Sequence, residues 1–340
     1  MKVDASIGPD MRAAAANAEA AERAGYHGIW SFELSHSAFP PLVLAAEHSE
    51  RLELGTSIVV AFARSPMTSA IEAWDLQGYS DGRLLLGLGS QIRPHIEKRF
   101  SMPWSHPAPR MREFVSALRA VWDSWQNGTR LNFRGDFYQH TLMTPMFDPG
   151  PLPSGPPKVL LAAVGERMTE VAGEVADGII LHGFTTERYA REVTLPIAER
   201  SLARSGRSRD EFQVRYSPFL VTGDTEEAMD DARRATRERI AFYASTPAYR
   251  PVLELHGWGE LQSDLNLLSK QGEWTKMGDL ISDDVLDAFA VVAEPDDLPA
   301  AINRRIGGIA DRTSFEPALA IDPDRLAAML AQIAGGDRDS

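Results

Sequence analysis

Cysteine is absent from all 340 residues. That single absence excludes disulfides, thiolate nucleophiles, iron–sulfur clusters and cysteine-ligated zinc. The opening residues 1–6 show no basic segment followed by an apolar stretch, so no signal peptide is expected and a cytoplasmic location is. No apolar run is long enough to cross a bilayer, so no membrane span is expected. Positive charge is also in short supply: 35 Lys and Arg stand against 48 Asp and Glu, a net charge of −13. Such a field opposes nucleic acid and anionic membranes as partners. It also means that an anionic cofactor needs a local patch of backbone N–H groups or arginines.

Several motifs are missing as well. Gly87-Leu88-Gly89-Ser90-Gln91-Ile92 begins like a dinucleotide-binding loop but lacks its third glycine. There is no Walker lysine motif. Gly55-Thr56-Ser57-Ile58-Val59 lacks the closing glycine of a nucleophile elbow. The eight histidines form no His-x-His or His-Glu-x-x-His pair, so no metal site is expected. With hydrolytic machinery out of view, the weight falls on a small-molecule enzyme whose cofactor brings its own chemistry.

What the sequence does contain is alternation. Lys2-Val3-Asp4-Ala5-Ser6 reads as a strand, and the Ala-rich residues 11–24 as a helix closed by Gly25. Further strands are expected at Gly28-Ile29-Trp30-Ser31-Phe32, at residues 52–58 and, after the turn Asp81-Gly82, at Arg83-Leu84-Leu85-Leu86-Gly87-Leu88-Gly89. Ser65-Pro66 starts a helix between the last two. Residues 131–138 suggest a hairpin around Gly135-Asp136. Residues 145–157, rich in Pro and Gly, read either as a domain linker or as a loop. The fifth strand is placed at Val159-Leu160-Leu161-Ala162 and the sixth at Ile179-Ile180-Leu181-His182, after Asp177-Gly178. The seventh is placed at residues 212–216 and the eighth at residues 288–292.

Eight short apolar strands alternating with helices indicate an α/β fold, a (β/α)8 TIM barrel, with an open doubly wound sheet as the alternative. Residues 91–157 and 244–284 become segments inserted after strands four and seven. Residues 1–340 are read as a single domain.

In such barrels the active site lies at the C-terminal ends of the strands. That rule selects Glu33 and His36, Ser57 and Ile58, Gly89, Ser90 and Gln91, Ala163, Val164 and Gly165, and His182, Gly183 and Phe184. The set is glycine-containing and weakly polar. It suits a flat aromatic ring with backbone donors better than a cluster of catalytic acids.

Leu54-Gly55-Thr56-Ser57-Ile58 with Arg64-Ser65-Pro66, Gly82-Arg83-Leu84-Leu85-Leu86-Gly87-Leu88-Gly89-Ser90, and Glu174-Val175-Ala176-Asp177-Gly178 resemble the bacterial luciferase-like monooxygenase superfamily. The similarity runs across about residues 1–320. Residues 89–96 and 289–292 resemble the branch that uses the deazaflavin coenzyme F420.

The resemblance implies a cofactor ring in the barrel mouth, seated on a bulge with a non-proline cis bond at Ser57–Ile58. Gly89, Ser90 and Gln91 would lie near the cofactor, although Gly87 and Gly89 also read as relief of crowding. Val164, Gly165, Arg167 and Met168 open a helix after strand five whose N–H groups suit a phosphate. Arg64, Arg93 and Arg167 are candidates for an acidic tail. His182 and Gly183 close strand six at the same mouth. Many relatives carry an Asp-His pair after strand two. Here Glu33 takes the acid position, and His36 either reaches the site as proton carrier or caps a loop. The implied activity is hydride transfer between F420 and a small organic substrate. The alternatives are an FMN-dependent monooxygenase and a non-catalytic cofactor-binding barrel. A homodimer is implied by the resemblance alone.

Overall fold

A computed structural model describes residues 1–317 and 320–336. Eight parallel strands close into a ring: Lys2–Ser6, Gly28–Ser31, Glu53–Thr56, Leu84–Gly89, Lys158–Ala163, Gly178–Leu181, Gln213–Tyr216 and Arg312–Ser314. Strand three pairs with strand four, and strand one with strand eight, so the sheet has no free edge. Helices such as Met11–Ala24, Pro66–Tyr79 and Glu166–Val175 pack outside, each with one buried stripe. The fold is a (β/α)8 TIM barrel.

The eighth strand is a correction. Ala290–Val292 is apolar and extended, but it pairs with Phe219–Val221 in a separate two-stranded sheet. The barrel is closed instead by Arg312–Ser314, a polar segment whose arginine is neutralised inside the barrel. A sequence signal for it exists. Ala176-Asp177 precedes strand six and Ala310-Asp311 precedes strand eight. Asp177 Oδ2 accepts from Val159 N at 2.8 Å, and Asp311 Oδ2 accepts from Val214 N at 2.8 Å. The two aspartates pin the neighbouring strand in the same way.

The first insertion falls where expected, whereas the second is wider than residues 244–284, because it also takes in Glu226–Ala244 and the pair Phe219–Val221 with Ala290–Val292. The first carries the helices Arg93–Lys98 and Pro107–Asn127 and a hairpin pairing Phe133–Arg134 with Gln139–His140. The second, after strand seven, includes the helices Glu226–Ala244, Arg250–Leu255, Gly259–Gln271, Trp274–Asp279 and Asp283–Phe289. It forms its own apolar cluster around Phe184, Phe219, Ile240, Leu253, Leu286 and Phe289.

The barrel interior is only partly apolar. Trp30, Leu85, Leu160 and Ile180 pack as one cluster. Beside it, Arg312 donates to both oxygens of Asp4 at 2.7 and 2.8 Å, and both side chains are fully buried. Arg312 also reaches Glu53 at 3.0 Å, and Lys2 meets Glu53 at 2.7 Å. Strands one, three and eight are thus joined through charge. Burying such ions is costly unless they are paired in this way.

Candidate active site at the barrel mouth

The third strand departs from regularity where the site forms. Gly55 pairs with Leu85 and Val59 with Leu88, so strand three advances four residues while its neighbour advances three. One residue is extra, which defines a bulge. The bond between Ser57 and Ile58 within it is cis. Gly87 makes room for the bulge, because a Cβ there would lie 1.8 Å from the Thr56 carbonyl oxygen. A Cβ on Gly89 would meet Ile58 Cδ1 at 2.8 Å. Both glycines therefore relieve crowding around the bulge.

Glu33 fastens the bulge from outside. Its backbone N donates to the Ile58 carbonyl at 3.2 Å, and its Oε2 accepts from Val60 N at 2.8 Å. Arg64 clasps both carboxylate oxygens at 2.9 and 2.8 Å and also touches Glu72 at 3.3 Å. Ser57 N donates to the Ser31 carbonyl at 2.7 Å. The geometry assigned to Glu33 as a proton carrier is therefore not the one found. Both of its oxygens are engaged and its side chain is 8% exposed, so it acts as a latch. Arg64, expected to meet a cofactor tail, is the other half of that latch. Arg93 is spent on Glu97, at 2.9 Å on the surface.

His36 lies on the exposed turn after strand two, and among the described residues nothing engages its ring. Exposed Phe32 and Leu34 flank it on the same turn, and exposed Ile92 follows strand four. Ser90 and Gln91 end strand four. Gln91 adopts a left-handed backbone (φ 60°), and its Oε1 accepts from Ile92 N at 3.0 Å. After strand five, half-buried Val164 leads to Gly165, which caps the helix Glu166–Val175 without any side-chain bond to the first turn. The Met168 amide is taken by the Gly165 carbonyl at 3.1 Å, which leaves the Glu166 and Arg167 amides open. Arg167 is exposed on that turn and forms no ion pair among the described residues. Met168 is half-buried beneath it, and Gly165 has nothing within 4 Å of where a Cβ would stand.

His182 is the best-defined polar group at the mouth. Its Nδ1 accepts from Phe184 N at 2.9 Å, which fixes the tautomer and leaves Nε2–H as a donor. Burial, aided by the nearby Arg239, pushes its pKa down to about 4. The ring is therefore neutral at physiological pH. Tyr243 packs edge-on to it at 4.6 Å and Tyr249 lies tilted at 5.1 Å. Gly183 abuts the Phe219 ring. Phe184 is fully buried in the second core and does not line the mouth.

Of the tyrosines around His182, the sequence points to Tyr243, as apolar surface of a lid, but not to Tyr249 or to their meeting at His182. They come from the inserted helix and the turn after it, far away in the chain. The sequence offers Phe242, Tyr243, Trp258 and Trp274 as apolar surface for either a lid or packing against the barrel, and the structure divides them. Phe242 and Trp274, with Glu238, Thr275 and Met277, line an outer cavity of about 360 Å³. Trp258 stacks on His256 at 4.6 Å.

A family model described as luciferase-like monooxygenase matches residues 2–311. The chain belongs to the luciferase-like monooxygenase family. An uncharacterised protein of Mycobacterium tuberculosis (strain ATCC 25618 / H37Rv) is 57% identical over 312 residues, covering 92% of each chain. A 5,10-methylenetetrahydromethanopterin reductase of Archaeoglobus fulgidus is 27% identical over 292 residues, covering 83% of this chain and 82% of the reductase. Among solved structures, a coenzyme F420-dependent tetrahydromethanopterin reductase from Methanopyrus kandleri superposes with a TM-score of 0.77. It has 21% identity and covers 97% of each chain. No helix among the described residues is long and apolar enough to cross a membrane.

Proposed function

We propose that this luciferase-like oxidoreductase transfers a hydride between coenzyme F420, held in the barrel mouth, and a small organic substrate. The observation that carries the reading is the latched bulge at Ser57–Ile58, at the end of strand three and open to the mouth. It supports a flat ring. The likeness to a Mycobacterium tuberculosis protein named as a putative coenzyme F420-dependent oxidoreductase, 27% identical over 297 residues, favours the deazaflavin over FMN.

The residues present fit such a group. Ser57 and Ile58 form the floor, with Gly89, Ser90 and Gln91 along one edge. The open N–H groups after Gly165, with Arg167 beside them and Val164 and Met168 as apolar contacts, suit a phosphate on an acidic tail. That patch supplies the local positive potential that a chain of net charge −13 otherwise lacks.

When bound, F420 supplies a ring carbon that gives or accepts hydride. The chain's own part is to hold the substrate over that carbon, at about 3–3.5 Å. His182 Nε2–H, neutral and donor-only, holds a substrate or cofactor oxygen beside Gly183. Phe32, Leu34 and Ile92 exclude water at the rim. Proton movement falls to His36, an exposed imidazole that nothing engages among the described residues.

The test is parallel titration of the purified protein with oxidised F420 and with FMN. Micromolar binding of F420 with weak FMN binding is expected. Preference for FMN, with oxygen consumption when reduced FMN is supplied, would move the chain to the oxygen-using reaction that the family's description names.

A further inference from the structure

Arg215 is a buried charge that the scheme above does not use. It stands on strand seven, its side chain 8% exposed and its guanidinium 4.3 Å from the centre of the Trp30 ring. Arg312 lies against the same ring at 5.1 Å, yet the two arginines differ sharply. Arg312 is bonded to Asp4 and Glu53. Arg215 approaches Asp4 only at 3.9 Å, and among the described residues its Nε has no hydrogen-bond partner.

Two guanidiniums thus share the carboxylate of Asp4, and Arg312 holds it. Glu53 is divided between Arg312 and Lys2. The other nearby acid, Glu316, is exposed at the rim, where solvent screens it and the Ser6 amide engages it. The charge of Arg215 is left largely uncompensated. Burial lowers its pKa to about 10, so it stays protonated at neutral pH.

The tip of Arg215 points up the barrel. Nη1 donates to Ser57 Oγ at 3.5 Å, and Nη2 donates to Ser314 Oγ. Ser57 is half of the cis bond at the floor of the mouth. A cation that is only partly balanced by Asp4 therefore sits beneath Ser57, part of the surface on which the ring would rest.

We propose that Arg215, acting through the floor at Ser57, is an electrostatic positioning residue that favours the reduced, anionic form of the bound ring over its oxidised form. The proposal rests on the cofactor reading above. When an alcohol-type substrate is oxidised, its C–H bond breaks and the hydride bonds to the ring carbon. The substrate carbon forms a carbonyl and its O–H proton leaves to solvent through the rim. The ring gains one negative charge, spread over its conjugated system. A fixed cation in a water-poor site stabilises that charge without reorganising. It also lowers the pKa at which the reduced ring takes up a proton.

The experiment measures dissociation constants for oxidised and for reduced F420, the latter without oxygen. It compares the natural protein with Arg215→Met and Arg215→Lys. Reduced F420 is expected to bind about tenfold more weakly to Arg215→Met, with oxidised F420 changed no more than about twofold, while Arg215→Lys keeps most of the preference. Equal losses for the two redox states would mean a structural role and would overturn the proposal, as would no change.

A second measurement needs no variant. The pKa of reduced F420, followed by absorbance, should lie about one unit lower bound to the natural protein than free. An equal or higher value overturns the proposal even if Arg215→Met fails to fold. Failure of the natural protein to bind F420 in either state is a different result, which overturns the cofactor reading and this inference with it.

Discussion

At the residue scale, His182 and Glu33 make opposite kinds of statement. His182 resists protonation in the folded chain down to about pH 4, whereas an unfolded histidine takes up its proton near 6.5. Between those values the unfolded state binds more protons, so stability rises with pH across that window and falls on acidification. His182→Gln, which removes the titration, should flatten the urea-unfolding curve of stability against pH between about 6.5 and 4. The slope removed is at most one proton, about 1.4 kcal/mol per pH unit. An unchanged slope would show that the ring is not shielded as described.

Glu33 tests differently because its oxygens are occupied. Glu33→Gln keeps one oxygen, at the Oε2 position, that accepts from both Val60 N and Arg64, and loses only the second Arg64 contact, so turnover should stay within about fivefold of the natural protein. Glu33→Ala strands Arg64 and frees the bulge. It should destabilise the fold by about 3 kcal/mol and weaken cofactor binding. A collapse of kcat in Glu33→Gln with binding intact would restore Glu33 to proton transfer.

At the element scale, the bulge and its glycine neighbour are one unit. Gly87 faces the Thr56 carbonyl so closely that any side chain must push strand three outward. The Thr56 hydroxyl also donates to the Gly87 carbonyl at 2.8 Å and accepts from the Gly87 amide at 2.8 Å. Gly87→Ala should cost about 1–3 kcal/mol by overpacking, read from the denaturation midpoint, and should weaken ring binding more than tail binding. The helix opening at Gly165 gives the converse result. Arg167→Ala touches no packed surface, so stability should hold within about 0.5 kcal/mol. Binding of F420 should still weaken several-fold, and the salt dependence of binding should become shallower.

At the scale of the whole molecule, the barrel is closed by charge as well as by backbone. Asp4 and Arg312 tie the first strand to the last, and Glu53 extends the tie to the third. Asp4→Ala leaves Arg312 and Arg215 facing one another over Trp30 with a single carboxylate in reach. A loss of about 3–5 kcal/mol is expected in chemical denaturation. Replacing Asp4 and Arg312 together by apolar residues should cost less than the sum of the single changes. Additive losses would argue that the pair is not coupled.

The sequence by itself determined a great deal of this protein. Seven of the barrel strands were legible, because alternation and strand-end position are local properties of the chain, whereas the cis bond at Ser57–Ile58 was implied only by the family resemblance. Other features belong to the tertiary structure alone. Arg312–Ser314 is polar and short, and it becomes a barrel strand only because Asp4, at the other end of the chain, neutralises its arginine. Glu33 looks like an acid until Arg64 is seen to clasp it. His182 looks like any buried histidine until the Phe184 amide fixes its tautomer and Tyr243 packs against it. Periodicity reports which face of an element is buried. Which charge meets which across the barrel depends on closure, and closure brings together residues that are distant in the chain.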